Sequence, residues 1–203
     1  GLRKNDLVAE IYRTAISGTD EFGGDYPAIV PLVPTGADAS AAHLTWDDRP
    51  FEYGSGTFFE IAGVHRRYHV PLCRSVYLGD PPAEMLEAEK ALVEGLESGL
   101  DVARAGNRAC DVADALYSAL ERVGIEKDDR CGYPIGLSYP PDWGEHTLSL
   151  RPGDTTVLQP NMTIHMIPGL WFDDWGIEIS ECFQVTESGA VPFAQVPRGL
   201  VAK

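Results

Sequence analysis

The segment TFFEIAGVHRRYHVPLCRSVYL, residues 57–78, sets the architecture of this chain. Two runs rich in apolar and β-branched residues, 57–64 and 67–78, flank a short polar turn and read as two joined strands. Downstream, Asp80-Pro81-Pro82 marks a helix start, an acceptor followed by proline where no N–H is needed. Met85, Ala88, Leu92, Leu96 and Leu100 then keep helical spacing until Ala105-Gly106. A second helix has Val112, Leu116, Ala119 and Val123 as its stripe and ends at Gly124. Upstream, 3–17 reads as a helix with Leu7, Val8, Ile11 and Ala15 on one stripe. The Gly-rich segment 18–25 is a loop, the three-proline segment 27–34 is at best an edge strand, and 36–54 is a polar loop. Beyond Cys131 the chain is loop and strand, with strands expected at 155–159, 162–172, 176–186 and 190–194. The whole is α+β.

The 203 residues are enough for one domain with a real core, 1–203. With 16 Lys+Arg against 31 Asp+Glu the net charge is −15, a surface that repels phosphate backbones and makes nucleic acid a poor partner. Every apolar run is too short for a membrane span. The start, GLRKNDLVAEIY, lacks the apolar core and cleavage site of a signal peptide. Cys73, Cys110, Cys131 and Cys182 form no C-x-x-C pair, which excludes a zinc finger and reads as reduced cytosolic thiols.

One internal echo is present. The segments starting at Gly1 and at Gly106 superpose without gaps: Gly1 on Gly106, Arg3 on Arg108, Asp6 on Asp111, Leu7 on Val112, Ile11 on Leu116 and Tyr12 on Tyr117. The second copy follows a long helix. By analogy a partner helix of roughly 20 residues is expected ahead of the first, in a longer parent protein.

Three strands share an anomaly. Glu60 interrupts Phe58-Phe59-Glu60-Ile61-Ala62, His165 interrupts Met162–Ile167, and Glu178 interrupts Trp175–Ser180. An ionised carboxylate is costly to bury unless it is paired. Strand alternation puts Glu178, Ser180 and Cys182 on one face and Glu181 on the other. Each polar group alone is explained by a half-exposed strand. Three in one domain point to a shared cleft, where two carboxylates and an imidazole can hold a cation, move protons or supply a nucleophile. Aromatic residues gather at Trp46, Phe51 and Tyr53, at Tyr133, Tyr139 and Trp143, and at Trp171, Phe172 and Trp175. They read either as core or as a cage for a cationic ligand. Neither a dinucleotide fingerprint nor a nucleophile elbow occurs.

The segments His43–Pro50, Phe58–Gly63, Tyr68–Ser75, Gly132–Leu137 and Thr163–His165 resemble, in order and spacing, the pita-bread group of creatinases, aminopeptidase P-type peptidases and methionine aminopeptidases. The resemblance implies two pseudo-symmetric α+β halves, a curved antiparallel sheet and outer helices. It also implies a homodimer and a smaller N-terminal domain, which is expected to lie outside these residues. Peptidase members hold two metals through Asp, Asp, His, Glu and Glu. Those positions fall on Glu60, Pro71, Tyr133, His165 and Ser180, with Glu178 where the family has arginine. Proline has no side-chain donor, and Tyr and Ser are poor substitutes, so no metal site and no cofactor are expected.

Among members the chain is most similar to the creatinase-like branch that acts on ectoine, a cyclic amidine bearing a carboxylate. That similarity implies a cytoplasmic, metal-independent hydrolase. Glu60, His165 and Glu178 are its candidate catalytic residues, and Tyr133, Tyr139, His43 and His69 its candidate substrate-binding residues. Glu60 either attacks the amidine carbon or activates water. The competing readings are a non-catalytic pita-bread binding module, a metal-dependent Xaa-Pro-type peptidase, and a metal-free amidinohydrolase with another substrate.

Overall fold

A computed structural model describes residues 1–127 and 129–203. It contains helices α1 (Lys4–Ser17), α2 (Ala83–Val102) and α3 (Ala109–Glu121), and a short 3-10 helix at Gly36–Ser40. Its strands are β1 (Ser55–His65), β2 (Tyr68–Leu78), β3 (Gly132–Tyr139), β4 (Asp142–Gly144), β5 (Thr163–Met166), β6 (Gly169–Trp171), β7 (Gly176–Glu178), β8 (Glu181–Val185), β9 (Ala190–Pro192) and β10 (Val201–Ala202). Eight strands form one sheet in the order β1-β2-β3-β5-β8-β9, with β4 on β3 and β10 on β2, while β6 and β7 form a separate ribbon. Every pairing is antiparallel except that of β10 with β2.

The main core lies where α2 and α3 cover the second half of the sheet. Leu92, Leu96, Val112, Leu116 and Leu120 meet Ile164, Met166, Phe183 and Val185 there, all buried. Glycines let these layers approach. A Cβ at Gly99 would sit 2.8 Å from the Met166 sulfur, and one at Gly95 3.2 Å from Leu116.

The internal echo is visible in the backbone. Arg3 pairs with Pro50 and Arg108 with Val157 as isolated antiparallel bridges. The Lys4 N–H donates to the Arg49 carbonyl as that of Ala109 does to Thr156, and Phe51 donates to Leu2 as Leu158 does to Asn107. Each arginine stands just before its helix and grips the aspartate three residues on, Arg3 to Asp6 at 2.9 Å and Arg108 to Asp111 at 2.6 Å. Glu60 follows Arg3 by as many residues as His165 follows Arg108, so the two occupy equivalent places in the two halves. The packing is less symmetric. Val112, Leu116 and Tyr117 are buried against α2, while their counterparts Leu7, Ile11 and Tyr12 are only half-buried.

Several expectations are corrected. Asp80 makes no cap: α2 begins after Pro82, whose carbonyl takes the N–H groups of Met85 and Leu86. Segment 27–34 is not a strand and pairs with β1 through Leu32 alone. The strand expected at 155–159 reduces to the bridge at Val157. Segment 162–172 splits into β5 and β6 around Pro168, which has no N–H to give the ladder. Segment 176–186 splits between Glu178 and Glu181, because Ser180 turns to β2: its N–H donates to the Cys73 carbonyl and its Oγ accepts the Cys73 N–H.

Candidate active site

The hairpin β1–β2 pairs Glu60 with Cys73, and alternation sends Phe58, Glu60, Ala62 and Val64 to the same buried face. Glu60 is pinned further by reciprocal backbone bonds with Leu32, at 3.0 and 3.1 Å. In the other half Tyr133, His165 and Cys182 are direct cross-strand partners on β3, β5 and β8. They lie on the face away from α2 and α3, because their neighbours Ile164, Met166 and Phe183 take the helix side. The backbone of Glu178 is held by β2: its N–H donates to Ser75 Oγ, and its carbonyl accepts from Ser75 Oγ and Cys73 Sγ.

These elements enclose a chamber of about 120 Å³ lined by His43, Glu60, Lys127, Asp129, Arg130, Tyr133, Trp171 and Glu178, among others. A cavity of about 150 Å³ accepts one benzene ring, so a substituted ring seated here would have to reach beyond this volume. A larger cavity of about 470 Å³ lies alongside and shares Lys127, Asp129, Gly169 and Trp171 with it.

Of the residues singled out from sequence, the chamber brings together Glu60, Glu178, Tyr133 and His43. His165 stands one layer behind, with no exposed surface. Its Nδ1 meets the Tyr133 hydroxyl at 3.1 Å and its Nε2 the Ser180 hydroxyl at 2.8 Å. Trp143 Nε1–H donates to the same Tyr133 oxygen at 3.0 Å. His165 therefore holds Tyr133 in place, and burial keeps its imidazole neutral, with a pKa lowered to about 3.

Two placements are corrected. His69 does not reach the chamber: its Nε2 accepts the Ala28 N–H and its Nδ1 contacts the Arg67 carbonyl, so both ring nitrogens are spent in a buried joint. Tyr139 is largely exposed and covers the Arg67 guanidinium at 4.9 Å. The aromatic cage is not formed either. Trp143 is core, Phe172 and Trp175 stack on each other at 4.1 Å, and of the nine aromatic residues only Tyr133 and Trp171 line the chamber. Glu181 does take the opposite face, where Arg198 bonds it at 2.8 Å.

Burial raises the Glu60 carboxyl well above its ordinary range, with Glu178 and then Asp142 adding repulsion. Burial likewise raises Glu178 to about 7, opposed by the Cys73 thiol and the Lys127 ammonium. Glu178 lines the chamber, and its Oε1 is buried without a hydrogen-bond partner among the described residues. A raised folded-state pKa means the folded protein holds the proton longer than the unfolded chain. The contribution is present below the unfolded value of about 4.5 and is lost as pH rises through about 7. Glu178→Gln is therefore expected to stabilise the ligand-free protein relative to the parent more at pH 8 than at pH 5. Urea unfolding at the two pH values tests this, and a difference between variant and parent that does not grow from pH 5 to pH 8 would refute it.

Lys127 and Arg130, missed in the sequence, enter through the loop between α3 and β3. They belong to no strand pattern, and only the chamber's closure makes them neighbours of the acids.

The donor set does not suit a pair of metals. Pro71 offers only its carbonyl, which is taken by Cys182 Sγ, and both His165 nitrogens are engaged. Among the described residues no three His, Cys, Asp or Glu side chains gather in an arrangement able to hold a metal ion.

A hairpin and its pseudo-symmetric partner, closing a chamber over buried acids, define the class. The chain belongs to metallopeptidase family M24, whose model matches residues 1–187. It is 59% identical over its whole length to the ectoine hydrolase of Halomonas elongata, of which it covers 52%. Among solved structures it matches a dipeptidase from Pyrococcus horikoshii with a TM-score of 0.88 at 21% identity, covering all of this chain and 55% of that one. It matches the dipeptidase PepE of Mycobacterium ulcerans at 0.85 and 23%, covering all of this chain and 53% of that one. These likenesses establish the fold, the expected curved sheet of two related halves. The chain spans about half the length of the curated relatives it matches.

Proposed function

We propose that this chain is the catalytic domain of a hydrolase that opens the cyclic amidine ring of ectoine without a metal, giving N-acetyl-2,4-diaminobutyrate. The observation that supports this most is the chamber itself. It has two buried carboxylates and adjoins a larger cavity of about 470 Å³, and the family's metal ligands are replaced around it. The high identity to an ectoine hydrolase supplies the substrate.

An amidinium is a planar cation with N–H donors, and carboxylates hold such groups in charge-assisted hydrogen bonds. Binding it would offset the burial penalty of Glu60 and Glu178 and favour their ionised forms. Glu60, ionised, takes a proton from water as the water oxygen adds to the amidine carbon. The tetrahedral intermediate then collapses, one ring C–N bond breaks, and the proton passes to the departing nitrogen. Direct attack by the Glu60 oxygen, with water releasing the acyl group afterwards, gives the same balance. Glu178 pairs with the ring nitrogens, and Tyr133, fixed by Trp143 and His165, orients the ring.

Ectoine turnover by the full-length protein in excess EDTA, followed as addition of one water by mass spectrometry, is expected to persist undiminished. Activity that appears only on adding manganese would overturn metal independence. Absence of turnover under both conditions would favour another substrate or a binding module.

Four free, buried cysteines support a cytoplasmic location. No described helix is long and apolar enough to cross a membrane. A homodimer is proposed on family resemblance. A helix equivalent to α2 is proposed to cover α1 and the exposed Ile61 and Val70 of the first half, as α2 covers its counterpart.

A further inference from the structure

The chamber wall carries cations as well as acids. Glu60 and Glu178 come from β1 and β7, while Lys127 and Arg130 come from the loop between α3 and β3. The Lys127 side chain is only 6% exposed. Its ammonium donates to the Gly169 carbonyl at 2.9 Å and pairs with Asp129 at 2.6 Å, which leaves a third N–H. Gly169 in turn abuts the acid: a Cβ there would lie 3.0 Å from Glu178 Oε2. Lysine and glutamate are thus fixed on either side of one glycine. Arg130 lies with its guanidinium 4.8 Å over the Tyr133 ring, a cation–π seat that holds the group at the chamber while leaving its in-plane N–H donors available.

A ligand that is only a cation needs no such residues. A chain of net charge −15 would also repel a carboxylate unless local cations received it. We propose that the chamber is built for a zwitterion, with Lys127 and Arg130 binding the carboxylate of the substrate while Glu60 and Glu178 hold its cationic ring. This rests on the amidine-hydrolase reading and adds which residues select among amidines. Arg130 suits a carboxylate by its forked donors and Lys127 as a point charge.

The test compares ectoine with the same amidine ring lacking its carboxylate, using the full-length enzyme and the variants Arg130→Met and Lys127→Met. The parent is expected to show a KM for the carboxylate-free ring higher by about ten- to a hundredfold, the scale of one or two lost charge-assisted bonds. Arg130→Met is expected to raise the KM for ectoine about tenfold, with kcat nearly unchanged and the carboxylate-free ring unaffected. Lys127→Met should behave alike. If it fails to fold for want of the Gly169 tie, the exposed Arg130 decides the matter. Equal use of both rings by the parent, or equal losses on both rings in Arg130→Met, would overturn the inference while leaving amidine hydrolysis standing. Turnover of neither ring by the parent would remove both.

Discussion

Glu60→Gln is expected to lower kcat for ectoine about a thousandfold, within the range spanned by general acid–base groups. The amide keeps the volume and the contacts of the acid but can neither accept a proton nor attack carbon. The site around it should not move, because β1 is locked there by its register with β2 and by both bonds to Leu32. The variant should also be no less stable than the parent, since a neutral side chain avoids the burial cost that raises the Glu60 carboxyl. Steady-state kinetics paired with a melting curve check both halves. Near-normal turnover in a folded variant would remove Glu60 from the mechanism.

Gly176→Ala is expected to be the most damaging single methyl near the site. A Cβ at Gly176 would stand 1.9 Å from the backbone carbonyl oxygen of Ala39 and 3.0 Å from the Trp171 ring. The obstacle is backbone, so no rotamer relieves it, and either the 3-10 helix or β7 must shift. Overpacking of this kind costs about 3 kcal/mol, or roughly 10 °C in Tm for a chain of this size. Glu178 lies two residues along the same strand, and a 1 Å displacement of a catalytic group can cost about a hundredfold in rate. Calorimetry and kcat should fall together. An unchanged Tm would mean that β7 and the 3-10 helix pack more loosely than the structure shows.

Much of this arrangement is legible in the sequence because it depends on alternation and on chemistry that resists burial. Glu60, His165 and Glu178 stand out as polar residues inside apolar strands, and all three are buried, Glu60 and Glu178 at the chamber and His165 one layer behind it. What alternation cannot tell is which buried polar group faces a cavity and which is spent on its neighbours. His165 and His69 look alike in the sequence. The first braces a chamber residue, and the second ties the backbone N–H of Ala28 and does not line the chamber. Tyr139 keeps strand parity with Tyr133 on β3 but lies past the bulge where β4 pairs, so it turns outward. Lys127 and Arg130 sit in a loop with no periodicity, and their nearness to Glu178 depends on contacts with β6. The strand breaks at Pro168 and Ser180 show the same limit. Proline announces the first, whereas the second depends on a hydroxyl recruited by a distant strand.

The duplicated backbone carries a consequence for descent. His43 and Glu60 come from the first unit, while Lys127, Arg130, Tyr133, Trp171 and Glu178 come from the second. One unit alone would enclose no chamber. A half-length ancestor could have possessed this cavity only as a pair of identical copies, and identical copies must present the same side chain at equivalent places on both sides of the axis. Glutamate at one such place and histidine at the other requires two copies that can mutate separately. Within one chain the two halves need not match, so one presents an acid to the chamber while the other uses the matching position as a brace.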